Sequence, residues 1–193
     1  MSPLTQNDLL PLEQYARERA DFRTRVLAHK RDRKVRIGEH VTLLFEDRLT
    51  IQYQIQEMLR AEKIFEAEGI TEELDSYNPL IPDGSNLKCT MLIEYADAEV
   101  RKRELLRLRN IEHDVQLVVG EHATITAIAD EDLPRSNDEK TAAVHFLRFE
   151  LDAAAVAGFK RGANLAFRIE HPNYRAQARL TEAQKKALIA DFD

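Results

Sequence analysis

The chain has 193 residues, 44% hydrophobic and 32% charged, with 28 basic against 34 acidic side chains and a formal net charge of -6. That apolar content is too high for a disordered chain and enough for a packed core. The acidic balance argues against nucleic acid, and weakly against anionic membrane surfaces, as partners.

The single cysteine, Cys89, cannot form an internal disulfide or hold an iron–sulfur cluster, and it points to a reducing compartment. The N-terminal stretch lacks the basic-flanked apolar core of a secretory signal, and no apolar run approaches about 20 residues. The expectation is a cytoplasmic protein with no membrane partner.

In chain order, Thr5-Gln6-Asn7-Asp8 reads as a helix start, with Thr5 or Asp8 as N-cap and Pro11 in the first turn. A long amphipathic helix is predicted from Leu12 to about Lys34, with Leu12, Tyr15, Phe22, Val26 and Leu27 as its stripe. Val35 to Phe45 reads as a hairpin turning at Gly38-Glu39. A helix follows from Leu49 to Glu68, stopped by Gly69, then a short helical piece from Thr71 to Tyr77 and a loop from Asn78 to Asn86.

Leu87 to Tyr95 is strand-like, and Asp97 caps a helix from Ala98 to about Arg109. Val115–Val119 and Ala123–Ala129 form a second hairpin, followed by an acidic loop from Asp130 to Lys140 and a strand from Ala142 to Leu151. Asp152 caps an alanine-rich helix ending near Gly162. Leu165–Ile169 and Tyr174–Leu180 are further strands about a His171-Pro172-Asn173 turn, and Thr181-Glu182-Ala183-Gln184 is a capping box opening a C-terminal helix. Without a regular βαβα rhythm, the expected fold is a single α+β domain over residues 1–193. It carries a largely antiparallel sheet, a long N-terminal helix and packed helices.

The nucleotide-binding glycine loops, the nucleophile elbow and the zinc-protease helix motif are all missing from the sequence. Candidate site residues come instead from misplaced polarity. On the Leu49–Glu68 helix, Glu62 and Glu66 fall on the face carrying Ile51, Ile55, Met58, Leu59 and Phe65. Buried carboxylates need partners, so the pair is expected to meet arginines in a structural network, or to line a functional polar pocket. His145 shares a strand face with Ala143, Leu147 and Phe149; it is either a satisfied core residue or a ligand or acid–base group. Arg148, on the same strand, is a possible cation for the carboxylates. Glu62, Glu66, Arg148 and His145 are therefore expected to converge, with Glu62, Glu66 and His145 as the ligands if a metal is held. The Asn78–Asn86 loop is a plain connection or a ligand loop, and Asp130-Glu131-Asp132 a solvated acidic turn or a hard-cation contact. Cys89 reads as a small core residue.

Several stretches carry a family resemblance: Leu43-Leu44-Phe45-Glu46-Asp47-Arg48, Tyr53-Gln54-Ile55-Gln56-Glu57-Met58-Leu59-Arg60-Ala61-Glu62, and Tyr77-Asn78-Pro79-Leu80-Ile81-Pro82-Asp83-Gly84 with Asn86-Leu87-Lys88. Farther on are Ile128-Ala129-Asp130-Glu131-Asp132-Leu133 and Lys140-Thr141-Ala142-Ala143-Val144-His145-Phe146-Leu147-Arg148-Phe149. Over nearly its whole length the chain resembles the bacterial family catalogued as domain of unknown function 3501. The resemblance implies no established activity and transfers no catalytic residues; the cofactor is unknown. It does imply gene neighbours, a rubrerythrin-like protein and an iron–sulfur oxidoreductase subunit of the heterodisulfide-reductase type, as partners in peroxide or redox defence.

Three readings result. The first is an accessory or binding protein in an iron-linked redox or oxidative-stress system. The second is a metal-binding protein or enzyme built on the Glu/His/Arg site. The third is a small-molecule sensor using the same pocket.

Overall fold

The computed structural model describes residues 2–121, 123–137 and 139–192. Alternating apolar side chains build two antiparallel sheets, as expected for the α+β class. The first contains β1 (Lys34–Ile37), β2 (Val41–Phe45) and β3 (Asn86–Ile93). The second contains β4 (Val115–Val119) and β5 (Ala123–Thr126). The short β6 (Ile128–Ala129) and β7 (Val144–Glu150) return to the first sheet, and β8 (Leu165–His171) and β9 (Tyr174–Arg179) complete the second. The strand orders are β1-β2-β3-β7-β6 and β5-β4-β8-β9.

The inner faces share one core, where the Phe167 ring lies 5.0 Å from that of Phe45 and 5.1 Å from that of Phe149. Where β1 turns into β2, Gly38 has φ +68°, and a Cβ there would fall 2.6 Å from the Tyr174 hydroxyl oxygen. That hydroxyl donates to the Ile37 carbonyl at 2.6 Å and accepts from the His40 amide at 3.1 Å. Glycine at this turn lets β9 lock the edge of the other sheet.

The helices begin where short polar side chains can cap them. α1 (Leu12–Arg31) buries Tyr15, Phe22 and Val26. α2 (Arg48–Glu62) starts on an Asp47–Thr50 capping box and buries Ile51, Ile55 and Leu59. α3 (Ala67–Tyr77) follows. α4 (Ala98–Arg107) and α5 (Ala153–Lys160) are capped by Asp97 and Asp152, and α6 (Glu182–Ile189) opens on the Thr181–Gln184 box. No helix among the described residues is long and apolar enough to cross a membrane.

Three expectations change. The helix predicted over Leu49–Glu68 is two helices. Lys63 adopts φ 57° and ends α2 at Glu62, Glu66 becomes the N-cap of α3, and Gly69 lies inside α3 instead of stopping a helix. α1 stops at Arg31, because Lys34 already pairs with Leu44 in β1. The predicted Ala123–Ala129 strand breaks at Ala127, whose amide donates to the Val115 carbonyl at 2.8 Å. The chain thereby passes from one sheet to the other, and Asp130 arrives beside β7.

Candidate metal centre

β7 alternates, so His145, Leu147 and Phe149 point into the core and Phe146 and Arg148 point outward. His145 is fully buried, and each of its ring nitrogens has a polar neighbour. Nδ1 faces Asp130 Oδ2 at 2.6 Å, while Nε2 faces Thr141 Oγ1 at 2.8 Å and the Ala142 carbonyl at 3.1 Å.

Asp130 is held to do this. Its φ is +50°, uncommon outside glycine, and its main chain and side chain both grip β7. The Asp130 amide donates to the Phe146 carbonyl at 2.9 Å, and its Oδ1 accepts from the Phe146 amide at 3.0 Å and from Arg135 at 3.2 Å.

The other carboxylate is Glu112, 2% exposed, on the 3-10 turn Ile111–Asp114 that follows a left-handed Asn110. Its oxygens accept from the hydroxyls of Ser136 and Thr141, the latter at 3.2 Å. The nearest imidazole nitrogens, of His113 and His145, stand at 3.8 and 3.9 Å, beyond hydrogen-bond reach.

The carboxylate contact puts a proton on His145 Nδ1. Nε2 is then either a donor to Ala142 in the imidazolium or, in the neutral ring, a lone pair directed at the Thr141–Glu112 side. The neutral ring is the metal-ligating form. Ligand atoms of Glu112, Asp130 and His145 all lie within 4.8 Å of one another. They do not have equal roles. Asp130 sits 2.6 Å from Nδ1, closer than two atoms bound to one ion at about 2.1 Å normally stand, which is about 3.0–3.4 Å. Glu112 and Nε2, at 3.9 Å, need only a small inward movement to share one. Asp130 is thus the group that orients the imidazole, as carboxylates behind ligating histidines commonly do. The Thr141–His145–Asp130 chain also has the spacing of a nucleophile–base–orienter triad. Thr141 is 1% exposed, however, and the three main clefts, beside β7, beside α4 and beside the N-terminal turn, are lined by other residues.

The sequence-predicted residues are not brought together. Glu62 and Glu66 are exposed, at the end of α2 and the N-cap of α3, because the helical periodicity was carried past the left-handed Lys63. The polar work on α2 is done by Glu57, which accepts from Tyr15 at 2.5 Å and from Arg19 at 2.7 Å through each oxygen; the Arg19 guanidinium holds its pKa down to about 2. Arg148 lies on the outer face of β7, paired with Glu131 and Glu150. β7 itself is next to the sheet edge, between β3 and the two-residue β6, not central. Of the four, only His145 stands in the buried cluster. Cys89 is buried with its thiol pKa pushed well up by desolvation, as fits a core residue.

A second buried polar network closes the C-terminus. Arg33, 1% exposed, donates to Asp191 at 2.5 Å and to the carbonyls of Phe45, Glu46 and Ala187 at 3.1, 2.9 and 2.8 Å. Asp47 lies 3.5 Å from Arg33 and 2.5 Å from His29. The second oxygen of Asp191 has no hydrogen-bond partner among the described residues. Desolvation outweighs Arg33 and raises the Asp191 pKa to about 6. The folded state therefore binds this proton more tightly than the unfolded chain, and the stability it contributes is full below about pH 4 and lost as pH rises through 6. Between pH 4 and 7 the native protein is expected to lose on the order of 2–3 kcal/mol relative to Asp191→Asn. Urea unfolding of the two across that range checks the difference; equal pH slopes would contradict it.

The described features define an α+β protein of two antiparallel sheets with a buried carboxylate–histidine centre. The family described as "Protein of unknown function (DUF3501)" matches residues 3–192, and the chain belongs to it. A crystal structure of a novel protein of unknown function from Burkholderia pseudomallei is similar throughout: 51% identity, full coverage of both chains and a TM-score of 0.94. Comparison with curated proteins gives no match.

Proposed function

We propose that the protein is a metal-binding accessory protein that holds one divalent first-row transition ion between Glu112 and His145 Nε2. Thr141 completes the protein side, and Asp130 fixes the ring. One observation carries this reading: a buried carboxylate, Glu112, receives its hydrogen bonds from neutral hydroxyls, with imidazole nitrogen just out of reach. A carboxylate out of water needs a compensating cation, and a mixed imidazole–carboxylate set suits iron, manganese or zinc. Thiol redox chemistry at Cys89 is disfavoured by its burial, so redox work would fall to the ion or to a partner. The accessory role draws on the neighbours implied by the family resemblance, a rubrerythrin-like protein and an iron–sulfur oxidoreductase subunit.

Dialysis of the purified chain against manganese, iron(II) or zinc, followed by metal analysis, tests the reading. About one equivalent is expected to remain with the native protein. Glu112→Gln, which keeps the shape and one acceptor oxygen and puts an amide donor beside the other hydroxyl, should stay folded and retain at least tenfold less. Equal retention by the two proteins, or none by either, would overturn the assignment.

A further inference from the structure

A cleft of about 790 Å³ lies on the other side of β7 from His145, between the outer face of the first sheet and the segment running from the end of α3 to Leu80. That volume is within the range of small-ligand sites. Lys88 on β3 and Arg148 on β7 line it and face each other in register. Directly opposed like charges weaken a sheet. The protein keeps these two in place with separate partners: Lys88 Nζ donates to the carbonyls of Pro79 and Ile81 at 2.8 and 2.9 Å, and Arg148 is forked onto Glu131 at 2.8 Å through two nitrogens. Lys88 has a third N–H that neither carbonyl takes; its nearby carboxylates, Asp83, Glu131 and Glu150, act on it only through charge. Glu131 is exposed and belongs to the loop after β6, so its carboxylate can exchange with one arriving from solvent. Tyr77, Leu80 and Phe146 supply the apolar wall; of the other carboxylates in the lining, Asp132 is held by the Arg135 fork and Asp75 is exposed to solvent.

We propose that this cleft binds a small organic carboxylate with an apolar body. The ligand carboxylate takes the place of Glu131 on Arg148 and receives the spare N–H of Lys88, and the body lies along Phe146, Tyr77 and Leu80. Arginine's fork suits a carboxylate in either arrangement, so the exchange conserves the bidentate pair. The proposal is independent of the buried metal centre, which lies on the opposite face of β7.

The probe is 8-anilino-1-naphthalenesulfonate, a fluorescent aromatic anion, titrated into the full chain, with octanoate and octanol as competitors. The expected result is one probe per chain, displaced by octanoate at concentrations at least tenfold below those of octanol. Arg148→Gln should weaken binding at least tenfold. Glu131→Gln, which removes the internal competitor, should strengthen it several-fold, an effect that a merely structural ion pair would not give. Absence of probe binding, equal competition by octanol, or an affinity unchanged in both variants would each overturn the proposal. Circular dichroism of the two variants, expected to match the native spectrum, separates lost binding from lost folding; if Arg148→Gln fails to fold, the Glu131→Gln titration alone decides.

Discussion

His145→Ala is expected to destabilise the protein by about 3–5 kcal/mol, measured by urea unfolding without added metal. The side chain is fully buried, so its removal leaves a cavity. It also takes away the group that faces Asp130 at 2.6 Å and terminates the Thr141–Glu112 chain. Two buried carboxylates then remain, with Arg135 reaching only Asp130. The double variant His145→Ala, Glu112→Gln should be less destabilised than the sum of the two single ones, because both side chains hydrogen-bond the same Thr141 hydroxyl. A loss below about 1 kcal/mol for His145→Ala would mean that the network contributes no more than a surface contact.

Arg33→Met should have an effect of similar size, about 3–5 kcal/mol at pH 7, for a related reason. Methionine fills much of the space but offers no donors. It strips Asp191 and Asp47 of their shared cation and leaves the carbonyls of Phe45, Glu46 and Ala187 without the bonds that tie β2 to α6. The effect is expected to shrink toward pH 4, where Asp191, with its pKa near 6, enters the fold protonated and no longer needs a cation. Asp47 does not share that relief, because in the variant the Thr50 amide and His29 still favour its charged form. Unfolding curves for Arg33→Met at pH 4 and 7 measure this; a cost that grows on acidification would contradict it.

How far the sequence could be read follows from the range of the signals involved. The strand pattern of β3 and β7, the hairpin at Gly38 and the caps at Asp97, Asp152 and Thr181 are local, and each stands where sequence reasoning puts it. The break between α2 and α3 was not legible, because Lys63 is an ordinary helix former and only its left-handed conformation reveals the stop. That miss carried Glu62 and Glu66 into a core they do not enter. His145 was found because strand alternation marks a polar residue on an apolar face.

The partners of His145 come from regions without periodicity. Glu112 sits on a 3-10 turn and Asp130, Ser136 and Thr141 lie on one long loop, so no spacing rule connects them. Asp130 had a weak signal, standing first in the acidic run. What set it apart from Glu131 and Asp132 was the passage of the chain between sheets at Ala127, a tertiary event.

The most direct test of the metal assignment is anomalous diffraction from crystals grown with manganese or zinc. One strong peak is expected within about 2.0–2.3 Å of both His145 Nε2 and a Glu112 oxygen, with Asp130 still hydrogen-bonded to Nδ1. No peak at that position, or a peak ligated by Asp130 with Glu112 left on its hydroxyls, would contradict it.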